Sequence, residues 1–231
     1  MKRLIIFGVL FFSPSVLLAF PSIVQSSSCW PCSGTLSFNS NVTPGNFLAI
    51  SIACGDVSAS VAATDTLGQT FSVAINNYWS SLSTLAMLYF ANSSGGPDTV
   101  TETGCTTNTR MHLIEYSNDG NTIVLDTTSF GNCNSGTGSC PTTSKTTAYN
   151  NEIALCSAQT ALGVDDWTIT SPFYSPYRLH VFKLWESDDS LSATGSIQCT
   201  LAPGTAANSQ VILASFGLIK NPRRAILTEG D

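Results

Sequence analysis

The chain has 231 residues, of which 43% are hydrophobic and only 10% carry a charge, with 9 basic residues against 15 acidic ones. The apolar fraction is too high for an intrinsically disordered chain. The acidic balance argues against nucleic acid or an anionic lipid surface as a partner, because both require clustered Lys and Arg.

The first 19 residues have the pattern of a secretory signal. Met1-Lys2-Arg3 precede an apolar run at 4–12, and Ala19 follows a stretch that contains Ser-Pro, which is the three-part layout of a cleaved signal. The run is too short to span a bilayer well, so an uncleaved anchor is the less favoured alternative. We expect a secreted, extracellular or periplasmic protein without stable membrane insertion after cleavage.

An even number of cysteines in an exported chain predicts disulfides. The eight cysteines are Cys29, Cys32, Cys54, Cys105, Cys133, Cys140, Cys156 and Cys199. We expect neighbours along the chain to pair, as Cys29–Cys32, Cys54–Cys105, Cys133–Cys140 and Cys156–Cys199. A redox-active pair is the alternative for Cys29 and Cys32. No βαβ pattern surrounds them and no second ligand pair has zinc spacing, so we expect neither redox chemistry nor a metal.

From residue 47 onward the chain is a series of short β-rich runs separated by clusters of Gly, Pro, Asn, Asp and Ser. The predicted strands are 47–54, 58–64, 70–76, 84–91, 98–103, 110–116, 122–126, 145–149, 152–158, 167–170, 178–185, 191–200 and 209–218. This pattern predicts an all-β, two-layer antiparallel β-sandwich over 47–219. A disulfide-bearing segment at 20–46 would join the sandwich, and 220–231 would form a tail.

Local signals predict faces and turns. Leu48, Ile50 and Ile52 alternate with smaller residues and mark the core face of the first run. Asp65 to Gly68 has the spacing of a type I turn in a hairpin over 58–76. Asp119-Gly120 suits a tight hairpin turn. No repeat of 20 to 50 residues is evident; the only echo is the Arg-x-His pattern of Arg110 and Arg178.

The order of several motifs resembles a group of secreted bacterial β-sandwich proteins with no settled function. These motifs are 44–48 (PGNFL), 65–71 (DTLGQTF), 88–91 (LYFA), 95–101 (GGPDTVT), 114–117 (IEYS), 125–126 (LD) and the closing apolar strand. The resemblance covers roughly residues 42–218. It implies a jelly-roll-like fold and supplies no catalytic residues, and the cysteines are not part of the pattern.

Catalytic and metal-binding patterns are weak. The chain contains no Gly-x-Ser-x-Gly elbow, and we expect its two histidines, His112 and His180, to be partly buried without a catalytic or metal role. A metal between them would require their strands to be neighbours. Glu186 and Asp188 would share a strand face as in a glycosidase, but 187–190 has the composition of a turn. Aspartates at 165–166 and 188–189 are a calcium alternative to solvated turns.

Aromatic residues in predicted loops are the best candidates for ligand contact. Tyr78 and Trp79 form one such group, and Phe173, Tyr174 and Tyr177 form the other. Exposed aromatic rings can stack on sugars, although rings in loops also cover the ends of β-sandwiches. Trp167 and Trp185 fall in predicted strands and are expected in the core.

These observations favour a non-catalytic binding module without a cofactor, for a glycan or another cell-surface component. The alternatives are a structural or interaction protein of the cell envelope or matrix, and a secreted glycan-active hydrolase. Exposed aromatics in one loop patch favour the first, a long uncovered edge strand the second, and two close carboxylates in a cleft the third.

Overall fold

A computed structural model describes residues 21–56, 59–80, 83–107, 109–134, 138–161, 168–169, 173, 179–181, 184–202 and 208–220. Among these residues the secondary structure is entirely β, and no helix is present that could cross a membrane. The strands are β1 (Ile23–Cys29), β2 (Thr35–Ser37), β3 (Phe47–Cys54), β4 (Ala62–Asp65), β5 (Ser72–Trp79), β6 (Ser83–Phe90), β7 (Thr99–Thr103), β8 (Arg110–Tyr116), β9 (Thr122–Cys133), β10 (Cys140–Pro141), β11 (Lys145–Thr146), β12 (Glu152–Thr160), β13 (Thr168–Ile169), β14 (Leu179–Val181), β15 (Leu184–Leu191), β16 (Ser196–Ile197), β17 (Thr200–Ala202) and β18 (Ser209–Ile219). The all-β class is confirmed.

Two five-stranded antiparallel sheets carry most of the described chain. The first has the order β1-β8-β3-β6-β5 and the second β14-β15-β12-β18-β9. Two three-stranded sheets, β2-β7-β4 and β10-β17-β13, accompany them, and β11 pairs with β16. The chain completes the first five-stranded sheet before it enters the second.

The same topology occurs twice. We call residues 21–116 the first half and 122–220 the second half. The first strand of each half, β1 or β9, lies at a sheet edge beside the last strand, β8 or β18. The order β1-β8-β3-β6-β5 then corresponds, strand by strand, to β9-β18-β12-β15-β14. The three-stranded sheets correspond in the same way once β11 and β16 are set aside. This duplication is invisible as a sequence repeat because few residue identities recur.

A β-bulge recurs at the same point of both halves. The pairing of β1 with β8 shifts register between Ile23 and Gln25, which leaves Val24 as the extra residue. The pairing of β9 with β18 shifts between Ser215 and Phe216, which leaves Asp126 as the extra residue. A bulge is a specific local device that redirects a strand, so its recurrence supports the equivalence of the halves.

The two five-stranded sheets share one hydrophobic cluster. Residues at equivalent positions, such as Phe47 with Ile153 and Tyr116 with Phe216, contribute to it from both halves. The ring centroids of Phe47 and Phe216 are 4.9 Å apart. Ser51 Oγ and Ser157 Oγ, 106 positions apart in sequence, form a 2.5 Å hydrogen bond between the sheets. Equivalent strands, β3 and β12, therefore contact each other directly.

The opposite faces of these sheets are also covered. Leu48, Ile50 and Ile52 pack with Val100 of β7 in the first half, and a corresponding cluster in the second half includes Leu201 of β17. The predicted core face of β3 is confirmed, and its other face is buried as well. The reason is that this second face packs against the other half of the chain.

All four predicted disulfides are present. Cys29 pairs with Cys32, Cys54 with Cys105, Cys133 with Cys140, and Cys156 with Cys199, and no described cysteine is free. Each half contains one bond across a short sequence separation, 3 or 7 residues, and one across a long separation, 51 or 43 residues. Both halves thus combine a short-range with a long-range bond, although the cysteines do not occupy equivalent positions, because Cys156 is equivalent to Ile50 and not to Cys54.

Several predicted elements differ from the structure. The segment before residue 47 supplies β1, the edge strand beside β8. Residues 187–190 continue strand β15, because they pair with β12 along its whole length. The turn at 118–121 forms, but β8 and β9 do not pair with each other. The turn therefore connects the two halves and does not close a hairpin. The hairpin over 58–76 is confirmed at its turn, where Thr64 pairs with Thr70.

Candidate functional site

A polar cavity of about 590 Å³ lies where the connection between the halves meets one end of the first five-stranded sheet. Three chain segments line it: residues 44–46 before β3, residues 91–92 after β6, and residues 118–123. The third segment contains the turn between the halves and the start of β9. We refer to this feature as the polar cavity.

The turn that forms one wall is fixed by its own sequence. Asp119 has φ 47° and Gly120 has φ 76°, a combination that Asp-Gly adopts at low cost. The backbone N–H of Asn121 donates to the carbonyl of Asn118 at 3.0 Å, and the Asn121 side-chain amide donates to the same oxygen at 2.9 Å. The wall therefore has a defined shape without support from paired strands.

The side chain of Asn118 is buried behind this turn, with 5% of its surface exposed. Its Nδ2 donates to the carbonyl of Gly45 at 2.9 Å, which ties the turn to the loop before β3. Its Oδ1 has no hydrogen-bond partner among the described residues. A buried acceptor without a partner costs about 1–3 kcal/mol, and Asn118 is also one of the residues that line the cavity.

A buried carboxylate holds the opposite wall. Glu115 of β8 is fully buried and accepts hydrogen bonds from the backbone N–H of Thr43 at 2.8 Å and from Asn46 Nδ2 at 2.6 Å. Gln25 Nε2 donates to its other oxygen at 2.6 Å. These three donors satisfy the carboxylate and fix Asn46 and the loop at 43–46.

The equivalent place in the second half has different chemistry. Glu152 occupies the position equivalent to Asn46. Ser215 is equivalent to Glu115, and Tyr149 is equivalent to Thr43. The Tyr149 N–H donates to Glu152 Oε1 at 2.9 Å, but Glu152 Oε2 has no partner within the described chain. Burial raises the pKa of Glu152, and the neighbouring carboxyl of Asp126 raises it further. We call Asp126, Glu152 and Ser215 the acid cluster.

A second, smaller cavity of about 320 Å³ lies between the halves, along β5 and β9. Ile75 and Asn77 line one side, and Phe130 and Lys145 line the other. Asn77 Nδ2 donates to Asn132 Oδ1 at 2.8 Å across the junction. Phe130 keeps 52% of its surface exposed.

The predicted aromatic site is not assembled as expected. Tyr78 and Trp79 belong to strand β5 and not to a loop. Tyr78 is 67% exposed and Trp79 is partly buried. Because consecutive residues of a strand point to opposite faces, these two rings cannot form one flat platform. Both lie at the end of the sheet opposite the polar cavity.

The second predicted aromatic group is only partly described. Phe173 is fully buried in the outer cluster of the second half. It packs in the core there, so its ring does not face a ligand from solvent, contrary to the expectation. Tyr174 and Tyr177 lie outside the described residues, as do the aspartates at 165–166.

The histidines and the acidic run of β15 do not form a shared site in the described chain. His112 is buried in β8, while His180 belongs to β14 of the other five-stranded sheet, so their strands are not neighbours. Asp189 is partly buried, and this burial raises its pKa.

The only described group of three metal-ligating residue types is Cys54, Glu102 and Cys105. Its two sulfurs are bonded to each other, which leaves no thiolate for a metal.

The polar cavity was missed at the sequence level although its parts were visible. The motif at 44–48 and the Asp-Gly turn were both recognised as local signals. Their meeting depends on β8 lying beside β3, which is a long-range pairing that local patterns do not encode.

Comparison with known proteins gives no assignment. The chain matches no protein-family model, no curated protein and no solved structure. The resemblance noted from the motifs therefore stays a prediction.

Proposed function

We propose that this protein is an exported, non-catalytic binding protein that takes a hydroxyl-rich ligand, a glycan segment, in the polar cavity. The observation that carries this proposal is a cavity of about 590 Å³ that is lined by four asparagines and one threonine. Asn118, one of these asparagines, also keeps a buried Oδ1 without a partner among the described residues. This volume is within the usual range of small-ligand sites.

The chemistry of the wall favours sugar hydroxyls. Asn92, Asn118 and Asn121 line the cavity together with Thr122. Each amide offers a donor and an acceptor, and a hydroxyl group needs both. Ala91 and Ile123 add small apolar surfaces that suit the C–H faces of a sugar ring.

The carboxyl groups at the cavity favour binding over hydrolysis. Asp119 is the single acidic residue among those that line it. Glu115 lies behind Asn46 and is already saturated by three donors. Glycoside hydrolysis generally uses two carboxyl groups that both reach the substrate.

The fold assignment that accompanies this function is a pair of jelly rolls. We count eight strands in each half and leave β11 and β16 out of the second. The first, last, third and sixth strands then lie side by side in one sheet, and the second, seventh and fourth lie in a separate sheet. This order supports a jelly-roll sandwich. The start of the fifth strand adds to this, because Thr70 pairs with Thr64 before the strand joins β6. The motif resemblance and four disulfides, which fit an oxidising compartment, support a secreted protein of this type.

The test is binding of the oxidised chain without its first 19 residues to a broad glycan array, followed by titration of any ligand found. Asn92→Ala removes one exposed amide from the wall, and Thr122→Trp fills the cavity from an exposed position. We expect about tenfold weaker binding for the first variant, the value of one lost hydrogen bond, and no detectable binding for the second.

Two controls give the result its meaning. Asn150→Ala removes an exposed asparagine from the equivalent loop of the second half, and Trp79→Ala removes the aromatic residue expected from the sequence. Both should bind as the parent does. Binding that survives Thr122→Trp but is lost in Trp79→Ala would move the site to β5, and silence across the array would overturn the glycan assignment.

A second candidate function is that of an interaction protein that uses its sheet edges. Four of the six exposed large apolar side chains described, Val24, Val73, Tyr78 and Phe130, lie on edge strands β1, β5 and β9. Edge strands with exposed apolar side chains are ready contact surfaces. Sedimentation velocity should then show concentration-dependent association that Phe130→Ser reduces. The control Ile219→Ser changes an exposed apolar residue of inner strand β18 and should leave association intact; no association in the parent contradicts this candidate.

A further inference from the structure

The acid cluster of the second half lacks the donors that its counterpart in the first half possesses. In the first half, the amides of Gln25 and Asn46 donate to the buried Glu115. In the second half, the equivalent positions carry Thr127 and Glu152 itself, and the bulge adds a further acid, Asp126. The two amide donors of the first half have thus been replaced by a hydroxyl group and a carboxyl group.

Two buried oxygen atoms of this cluster have no hydrogen-bond partner among the described residues. They are Glu152 Oε2 and Ser215 Oγ, and both residues are fully buried. The carboxyl groups of Glu152 and Asp126 are close enough to share a hydrogen bond, and the Ser215 hydroxyl lies beside Glu152. The Ser215 O–H is the one donor that these three side chains offer, so the two converging carboxyl groups still need a proton or a cation between them.

Backbone groups already orient the two carboxyl groups. The Tyr149 N–H donates to Glu152 Oε1 at 2.9 Å, and the Ala148 N–H donates to Asp126 Oδ2 at 2.9 Å. The ring of Tyr149 packs so closely on Gly217 that a Cβ there would lie 2.3 Å from it, so glycine is required at this position. These two hydrogen bonds orient the second oxygen of each carboxyl group. Asp126 is only partly buried, so the cluster is reached from solvent on its side.

We propose that Asp126, Glu152 and Ser215 bind a divalent cation of the calcium type. The donor set consists of oxygen atoms only, which hard cations prefer over the sulfur and nitrogen ligands of transition metals. Two carboxylates supply the charge, the serine hydroxyl supplies a neutral ligand, and water completes the shell through the open side. The site links β9, β12 and β18, so the cation stabilises the second half.

A shared proton between Asp126 and Glu152 is the competing arrangement. A proton and a cation respond oppositely to pH, because the cation needs both carboxyl groups ionised and binds more weakly as pH falls. A shared proton stabilises the fold at acid pH and is lost as pH rises. The two arrangements are therefore separable by one pair of measurements.

The experiment is calorimetric titration of the oxidised, chelator-treated chain with calcium chloride at pH 7.5, with thermal unfolding measured alongside. We expect saturable binding and a rise in Tm of about 5 °C at a hundredfold excess over Kd. Asp126→Asn and Glu152→Gln should abolish both effects, and Ser215→Ala should weaken binding about tenfold, the scale of one lost ligand interaction.

Two comparisons keep the result decisive. Asp188→Asn removes a partly buried carboxylate from β15 of the same half and should bind calcium as the parent does. Asp126 is only partly buried, so Asp126→Asn reports on the site even if the Glu152 variant unfolds. An absence of heat and of Tm change at millimolar calcium would overturn the cation. A stability that falls as pH rises above the ordinary range of a carboxyl pKa would then identify the shared proton.

Discussion

The two halves of the molecule solve one structural problem in different ways. At the end of the first five-stranded sheet, the N–H of Thr43 points at a buried carboxylate from β8, Glu115. At the equivalent place in the second half, the N–H of Tyr149 points at a carboxyl group from β12, Glu152. The topology fixes where a buried acceptor is needed, and the side chains around it decide whether its hydrogen bonding is completed.

This difference assigns different roles to the two ends. In the first half, a carboxylate with three donors fixes one wall of the polar cavity, and Asn118, which also lines the cavity, keeps a buried Oδ1 without a partner among the described residues. In the second half, the Oε2 atom of Glu152 itself is buried without a hydrogen-bond partner among the described residues. Under the two proposals above, the same topology therefore carries a site for a polar ligand in one half and a site for a cation in the other.

The largest expected effect tests whether the halves are stabilised alike. Replacing Cys54 and Cys105 by alanine opens a loop of 51 residues and should lower the free energy of unfolding by about 4 kcal/mol in the chain-entropy account. The same change at Cys29 and Cys32, separated by 3 residues, should cost about 2 kcal/mol or less. Urea unfolding of both variants checks the order.

The second half should repeat this order. Loss of Cys156–Cys199, which spans 43 residues, should exceed loss of Cys133–Cys140, which spans 7. A larger loss from either short-range bond would contradict the chain-entropy account for that half.

The two glutamates should differ strongly when neutralised. Glu115→Gln places an amide nitrogen against donors from Thr43, Asn46 or Gln25 and should cost about 3 kcal/mol, since hydrogen bonds to a charged group are lost and a buried donor is left unpaired. Glu152→Gln keeps an acceptor for the Tyr149 N–H and gives Asp126 a donor. In calcium-free buffer at pH 6 we expect a change below about 1 kcal/mol.

Chemical denaturation of both variants under identical conditions measures this contrast. Equal costs would mean that the two carboxyl groups are satisfied in the same way. The comparison between the halves would then fail.

An acid pair in the first half provides a further comparison. Asp98 is buried beside Asp65, and burial followed by the charge of Asp65 raises its pKa from 3.8 to about 6. The folded state therefore holds its proton more tightly than the unfolded chain, so this group stabilises the fold at acid pH and the contribution is lost between pH 3.8 and about 6. Asp98→Asn should raise stability at pH 7 by about 2 kcal/mol and change little at pH 4.

Urea unfolding at both pH values measures this effect, with Asp119→Asn as the control for loss of one charge. Asparagine tolerates the positive φ of 47° at that exposed turn. A gain of equal size at pH 4 and pH 7 would show that proton uptake by Asp98 is not its cause.

The smallest expected effect concerns the contact between the halves. Ser51→Ala or Ser157→Ala leaves one buried hydroxyl unpaired and should cost about 1–2 kcal/mol. The double variant should cost about 1 kcal/mol less than the sum, because both hydroxyls are then absent. Strict additivity in this double-mutant cycle would mean that the 2.5 Å hydrogen bond does not couple the two sheets.

Local patterns in the sequence predicted much of the fold. The β3 and β8 strands agree with the predicted bounds, and the Asp65 turn forms with its carboxylate accepting the N–H groups of Leu67 and Gln69. The disulfide pairing followed from neighbouring positions. These features depend on a few adjacent residues or on short separations.

Features that depend on distant pairing were not predicted. Phe47 and Ala49 gave no indication that their face would be buried, because the covering sheet comes from the other half. Tyr78 and Trp79 look like loop residues, yet pairing with β6 extends β5 through them. The polar cavity depends on the same kind of long-range contact, since Asn118 reaches Gly45 only through the β3–β8 pairing.

The most direct test of the duplicated, face-to-face arrangement is a crosslink between its equivalent strands. Ser51→Cys combined with Ser157→Cys places two thiols where the hydroxyl oxygens are 2.5 Å apart, a separation compatible with a disulfide. Peptide mapping of the oxidised double variant should find the four native disulfides and a new bond between positions 51 and 157. Two thiols at these positions that remain open to alkylation in the folded protein would contradict the packing of β3 on β12.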